Sequence, residues 1–272
     1  MAVRRPTFLG PLVTLMGSVA LASACADAPP AADPPAEATS GVSVVEGSCG
    51  DVHGASVCSW ARLEGARVVE FGLRIPLESI ADADPEAPFV WPPMLAARVA
   101  MPDVVQERLG VMDVTTFWES HGHPPGPYLI PHFDYHFYVI PAAAVAAINC
   151  ADETKPDAPP AGYALPDVDI PEVGHLIGLC VPGMGMHALL QSEMESEEPF
   201  SGTMVIGYYA GNPIFFEPMI PQDRLMLQES FSLDMPAVAG TGPEVVLPTR
   251  FEAVYDDAAS AYEFVFSGFP TS

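Results

Sequence analysis

Between Pro131 and Ile140 the chain alternates without a break. His132, Asp134, His136 and Tyr138 take one parity, and Phe133, Tyr135, Phe137 and Val139 take the other. Side chains of a strand point to opposite faces in turn, so a strand here has one apolar face and one face of His, Asp, His and Tyr. Such a strand suits the wall of a β-barrel or sandwich, with its apolar side in the core and its polar side lining a cavity.

Most of the remaining sequence reads as short strands punctuated by Pro and Gly, which predicts a mainly β (α+β) domain with few helices. Strands are expected at 66–76, 176–181, 203–209, 214–219, 251–255 and 261–266. Two hairpins stand out, one turning at Ala210-Gly211-Asn212-Pro213 and one at Asp256-Asp257-Ala258. Pro141 to Ile148 predicts a helix with proline in its first turn, where the missing N–H does no harm. A second helix is expected over 94–109, broken at Pro102. Residues 151–172 contain five prolines and predict a loop over the barrel mouth.

The N-terminus predicts export. Arg4 and Arg5 precede an apolar stretch from Phe8 to Leu21 and then small residues ending at Cys25. Pro11 and Gly17 make that stretch a poor permanent membrane span. Residues 1–24 are therefore expected to be a lipoprotein-type signal peptide, with Cys25 lipidated as the mature N-terminus. Cleavage after an Ala-x-Ala, giving a secreted protein, is the competing reading. Residues 25–45, rich in Pro, Ala and acid, predict an extended tether, and 46–272 a single β-rich domain. The expected location is the cell envelope, on its periplasmic or extracellular face.

Thirty-five acidic and 10 basic residues give a formal charge of −25, with Lys155 the single lysine. Such a surface repels polyanions, which argues against nucleic-acid binding and against electrostatic membrane docking, leaving the lipid as the membrane contact. Besides Cys25, Cys49, Cys58, Cys150 and Cys180 make an even count in an exported chain, so two disulfides are expected. The favoured pairing is Cys49 with Cys58, close in sequence, and Cys150 with Cys180.

Five of the seven histidines fall in three short motifs: His121-Gly122-His123, His132 to His136, and Pro182-Gly183-Met184-Gly185-Met186-His187. Imidazole is the commonest side-chain ligand of transition metals, and one cavity would explain all three motifs together. In an extended segment His121 and His123 point the same way. The candidate ligands are His121, His123, His132, His136, His187 and Glu217, a carboxylate inside the apolar strand Phe215-Phe216-Glu217-Pro218-Met219. Asp134 is expected either as a further ligand or as a partner orienting an imidazole from behind, and Tyr138 as such a partner. The expected cofactor is a divalent transition metal: zinc, iron, manganese or copper. Met184, Met186, Met204 and Met219 bear on copper through thioether ligation, but core packing is the commoner use of methionine. His53 and His175 stand alone and read as loop residues.

The pattern is similar to a cupin in architecture only. Where a cupin has a Glu after its His-x-His, this chain has Pro124-Pro125-Gly126-Pro127. No Gly-x-Ser-x-Gly elbow supports a nucleophilic triad. A closer resemblance is carried by His121-Gly122-His123-Pro124-Pro125-Gly126, by Pro131 to Tyr138, by Val181 to His187, and by Gly207 to Gly211 with Phe216 to Ile220. These motifs resemble the signature of an uncharacterised bacterial family of exported proteins, a domain of unknown function with a Thermus member under extracytoplasmic sigma-factor control. The resemblance runs from about residue 60 to the C-terminus. It implies a single β-rich domain, export, envelope-stress association and homo-oligomers.

Two functions follow as expectations. The first is an exported, lipid-anchored, metal-binding envelope protein, non-catalytic and oligomeric. The alternative is a metal-dependent, cupin-like enzyme acting on a small molecule at an open coordination position.

Overall fold

The computed structural model describes residues 41–242 and 244–270, which belong to one unit spanning 39–272. The expected signal segment, Cys25 and most of the tether lie outside them. In chain order the strands are β1 (Val42–Val52), β2 (Ala55–Glu64), β3 (Arg67–Pro76), β4 (Leu95–Ala100), β5 (Asp113–Glu119), β6 (His132–Tyr138), β7 (Tyr163–Ala164), β8 (Val168–Ile170), β9 (Gly174–Leu176), β10 (Met186–Leu190), β11 (Thr203–Tyr209), β12 (Asn212–Pro221), β13 (Phe231–Leu233), β14 (Arg250–Asp256) and β15 (Ala261–Ser267).

They form two open antiparallel sheets and a ribbon. The first sheet runs β1-β2-β3-β15-β14-β13, the second β4-β5-β6-β12-β11-β10-β7, and β8-β9 stand apart. Among the described residues neither sheet closes on itself, so the domain is sandwich-like rather than a barrel. Both expected hairpins are present, as β11–β12 and β14–β15.

Alternation decides which faces meet. Phe71, Leu73 and Ile75 of β3, with Phe264 and Phe266 of β15, face Phe133, Tyr135 and Phe137 of β6 and Phe216 of β12. This inner core is dense with rings: Phe137 stacks on Phe216 at 5.4 Å and meets Phe266 edge-on at 4.7 Å.

Three expectations change. The segment 94–109 is half strand, because Leu95 to Ala100 pair with β5, and only Asp103–Leu109 is helical. That helix starts after Pro102, carries Asp103 and Arg108 at the ends the helix dipole favours, and stops at Gly110 in the left-handed region (φ 70°). Strand β1 begins at Val42, inside the stretch assigned to the tether. Within 176–181, Leu176 ends β9, Ile177–Leu179 form a short 3-10 turn, and Val181 makes only an isolated bridge to Gly185.

The Pro-rich stretch covers a sheet face, not a barrel mouth. A second apolar layer, including Tyr128, Val145, Ile148, Ile170, Leu179 and Phe200, lies on the outer face of the seven-stranded sheet. The Cys150–Cys180 disulfide staples this layer across 30 residues, and Cys49–Cys58 joins directly paired residues of β1 and β2. The pairing is the one expected.

Candidate metal centre

The outer face of β6 carries His132, Asp134, His136 and Tyr138 beneath that covering layer. Strand β5 places Glu119 opposite His132 and Thr115 opposite His136. Strand β12 brings Glu217 alongside, and His187 enters from the start of β10. His187 pairs with Gly207, which pairs with Phe215. The Phe215 ring fills the space where a side chain at 207 would stand. That ring then stacks on His136 at 4.5 Å and meets His187 edge-on at 5.3 Å.

Two triads result. Donor atoms of His123, His132 and Asp134 lie within 4.8 Å of one another, as do those of His136, His187 and Glu217. Except for His123, which is partly exposed, these residues and Glu119 are 0–6 % exposed.

The imidazoles are oriented from behind. His132 Nδ1 donates to the Ile130 carbonyl (2.7 Å), His187 Nδ1 to the Leu179 carbonyl (2.9 Å) and His123 Nδ1 to the Pro124 carbonyl (2.9 Å). His136 Nδ1 donates to the Tyr138 hydroxyl (3.4 Å), which donates to the Met184 carbonyl (3.3 Å). These acceptors fix the proton on Nδ1 and leave an Nε2 lone pair free, the arrangement typical of ligating histidine.

Nε2 of His132 faces Asp134 Oδ1 at 3.3 Å, and Nε2 of His136 faces Glu217 Oε2 at 3.2 Å. Neither contact is a hydrogen bond, and all four atoms are buried without partners. An ion pair would need a protonated imidazole, yet burial, reinforced by neighbouring cationic groups, pushes His132 well below its usual value and His136 down to about 3. With the carboxylates ionised, acceptor would face acceptor twice, which either a proton on the carboxyl or a cation between the two resolves.

The carboxyls carry the matching signature. Burial raises Glu217 to about 8 and Glu119 to about 9, the latter helped by the charges of Asp134 and Glu217. Burial and the Glu217 charge also raise Asp134, and Asp134 and Glu217 lie in hydrogen-bonding contact, which needs a proton between them. Without a cation, this cluster holds neutral imidazoles and protonated carboxyls.

His121 does not join the triads. Gly122 is left-handed (φ 64°), where a Cβ would overlap the Tyr128 carbonyl, so the chain turns and the two histidines diverge. His121 is exposed, bonded through Nδ1 to Ser120 Oγ (2.9 Å). The Tyr138 hydroxyl lies against His136 Nδ1, and Asp134 offers a donor atom to the first triad. Glu119, near both triads, was not among the sequence candidates; its one signal is its place two residues before His121. Met186 and Met204 pack in the inner core, Met184 lines the small hollow beside the centre, and Met219 pairs with Asp134 in the outer layer. His175 is exposed against Asp169, and His53 packs on Trp118 and Phe133 at a turn.

Two hollows adjoin the centre. One of about 10 Å³ is lined by Glu119, His123, Asp134 and His187 with Trp91 and Met184. A larger one of about 300 Å³, walled by Phe89, Met94, Trp118 and His121, shares Glu119 and Pro93 with it. No known protein family, curated protein or solved structure matches this chain. Among the described residues no helix is long and apolar enough to cross a membrane.

Proposed function

We propose that this chain is an exported, lipid-anchored envelope protein that binds a divalent transition metal through its buried histidines and carboxylates, as a non-catalytic homo-oligomer. One observation carries the metal reading: imidazoles locked by Nδ1 acceptors turn unpartnered Nε2 atoms onto unpartnered carboxylate oxygens. Two imidazoles and one carboxylate per triad suit zinc, iron or manganese, and no thioether stands in either triad to favour copper. Two disulfides fit an oxidising compartment. Membership of the uncharacterised exported family is part of the proposal. All four of its motifs supply the centre, with His123, His132 to His136, His187 and Glu217. The oligomer rests on that resemblance.

A metal-dependent enzyme is the second reading. The 300 Å³ hollow favours it, being large enough for a small molecule and sharing Glu119 with the centre.

The test is elemental analysis of the full-length protein expressed through an oxidising compartment, beside a His132→Ala/His136→Ala variant. Metal retained by the wild type and lost in the variant is expected. No metal after reconstitution with zinc, iron, manganese and copper would overturn the proposal.

A further inference from the structure

We infer that the centre takes two ions, one in each triad, with the carboxylates of Asp134 and Glu217 standing between them. This rests on the metal reading above and adds to it the number of ions.

Strand geometry sets the number. Residues of a strand rise about 3.3 Å each, so His132 and His136 leave the backbone roughly 13 Å apart and project in parallel. Donors bound to one ion at about 2.1 Å lie no more than roughly 4.2 Å from each other. One ion cannot take both imidazoles without bending β6, and β6 is regularly paired along its length with β5. Each histidine instead has its own second imidazole from another element. His123 comes from the loop after β5 to join His132, and His187 comes from β10 to join His136.

Asp134 is the residue midway between His132 and His136 on the same face. It belongs to the first triad and touches Glu217, the carboxylate of the second. Ions held at about 2.1 Å from imidazoles so spaced would stand ~9 Å or more apart, with these two carboxylates between them.

The experiment loads the full-length protein with Mn(II), removes unbound ion and measures manganese per chain. Two ions per chain are expected, and His187→Ala should hold half as much. One ion per chain in the wild type, or loss of both ions in a folded His187→Ala, overturns the two-ion count and leaves the metal reading standing. No bound manganese, with none of zinc, iron or copper taken up either, overturns both. Should His187→Ala fail to fold, the wild-type count decides alone.

Discussion

The two faces of strand β6 are both buried, yet they are built on opposite principles. Phe133, Tyr135 and Phe137 enter a core of rings against the six-stranded sheet, where every contact is satisfied by shape. One residue along, His132, Asp134 and His136 enter an equally dry space whose donors and acceptors do not match. The first face is complete as it stands, whereas the second becomes complete when a cation arrives. Stability and function are thus interleaved at a period of two in one segment, and substitutions at neighbouring positions should have different signatures.

The largest effect is expected on the inner face. Phe137→Ala leaves a cavity among Phe71, Phe216 and Phe266 and should cost about 3–5 kcal/mol, read as a fall in denaturation midpoint that metal does not restore. Equal loss from any outer-face alanine variant without metal would erase the contrast.

Next comes the staple over the outer face. Cys150→Ser opens a loop of 30 residues, worth about 3–4 kcal/mol by loop-closure entropy. Cys58→Ser opens one of only 9, worth about 2.5 kcal/mol, and is remote from the centre. Chemical denaturation should rank them in that order. Only the first should weaken metal retention, because only the first loosens the layer holding His187 through Leu179.

His136→Ala should reverse the pattern of Phe137→Ala. It removes an unpartnered buried acceptor, so metal-free stability should change by no more than about 1 kcal/mol. The stabilisation given by metal at one hundred times its Kd, about 2.7 kcal/mol for one site, should shrink or vanish. Thermal scans with and without zinc separate the two contributions.

The most diagnostic effect is in pH. Burial raises Glu217 to about 8 and Glu119 to about 9 in the fold, against about 4.3 in the unfolded chain. Groups so raised give stability that is full below the unfolded value and is lost as pH rises through the folded one. His123, His132, His136 and His187 are lowered and act the other way, giving stability present above about 6.5 and lost on acidification. Between pH 6.5 and 9 the carboxyls alone contribute from this cluster. The metal-free protein should therefore melt progressively lower over that window, and the metal-loaded protein should not.

Much of this was legible in the sequence, because alternation is a local signal. The β6 face, the β11–β12 and β14–β15 hairpins and the pairing of the cysteines all follow from short stretches. What was not legible depends on register between distant strands. Glu119 looks like an ordinary acid until β5 pairs with β6 and sets it opposite His132. His121 looks like a ligand until the left-handed Gly122 turns it away. Segment 94–100 has helical composition but gains more from pairing with β5 than from a helix. The cover over the outer face could not be read from residues 151–172, whose role is set by the Cys150–Cys180 link and the apolar layer around it.

The most direct test of the central claim is anomalous diffraction at the zinc edge from crystals of the zinc-loaded protein. The account predicts anomalous density between His132 and Asp134 and between His136 and Glu217, each fed by Nε2 of the strand histidine. A fully loaded crystal with its zinc elsewhere, or with none in either triad, would contradict it and leave these histidines as packing residues of the outer layer.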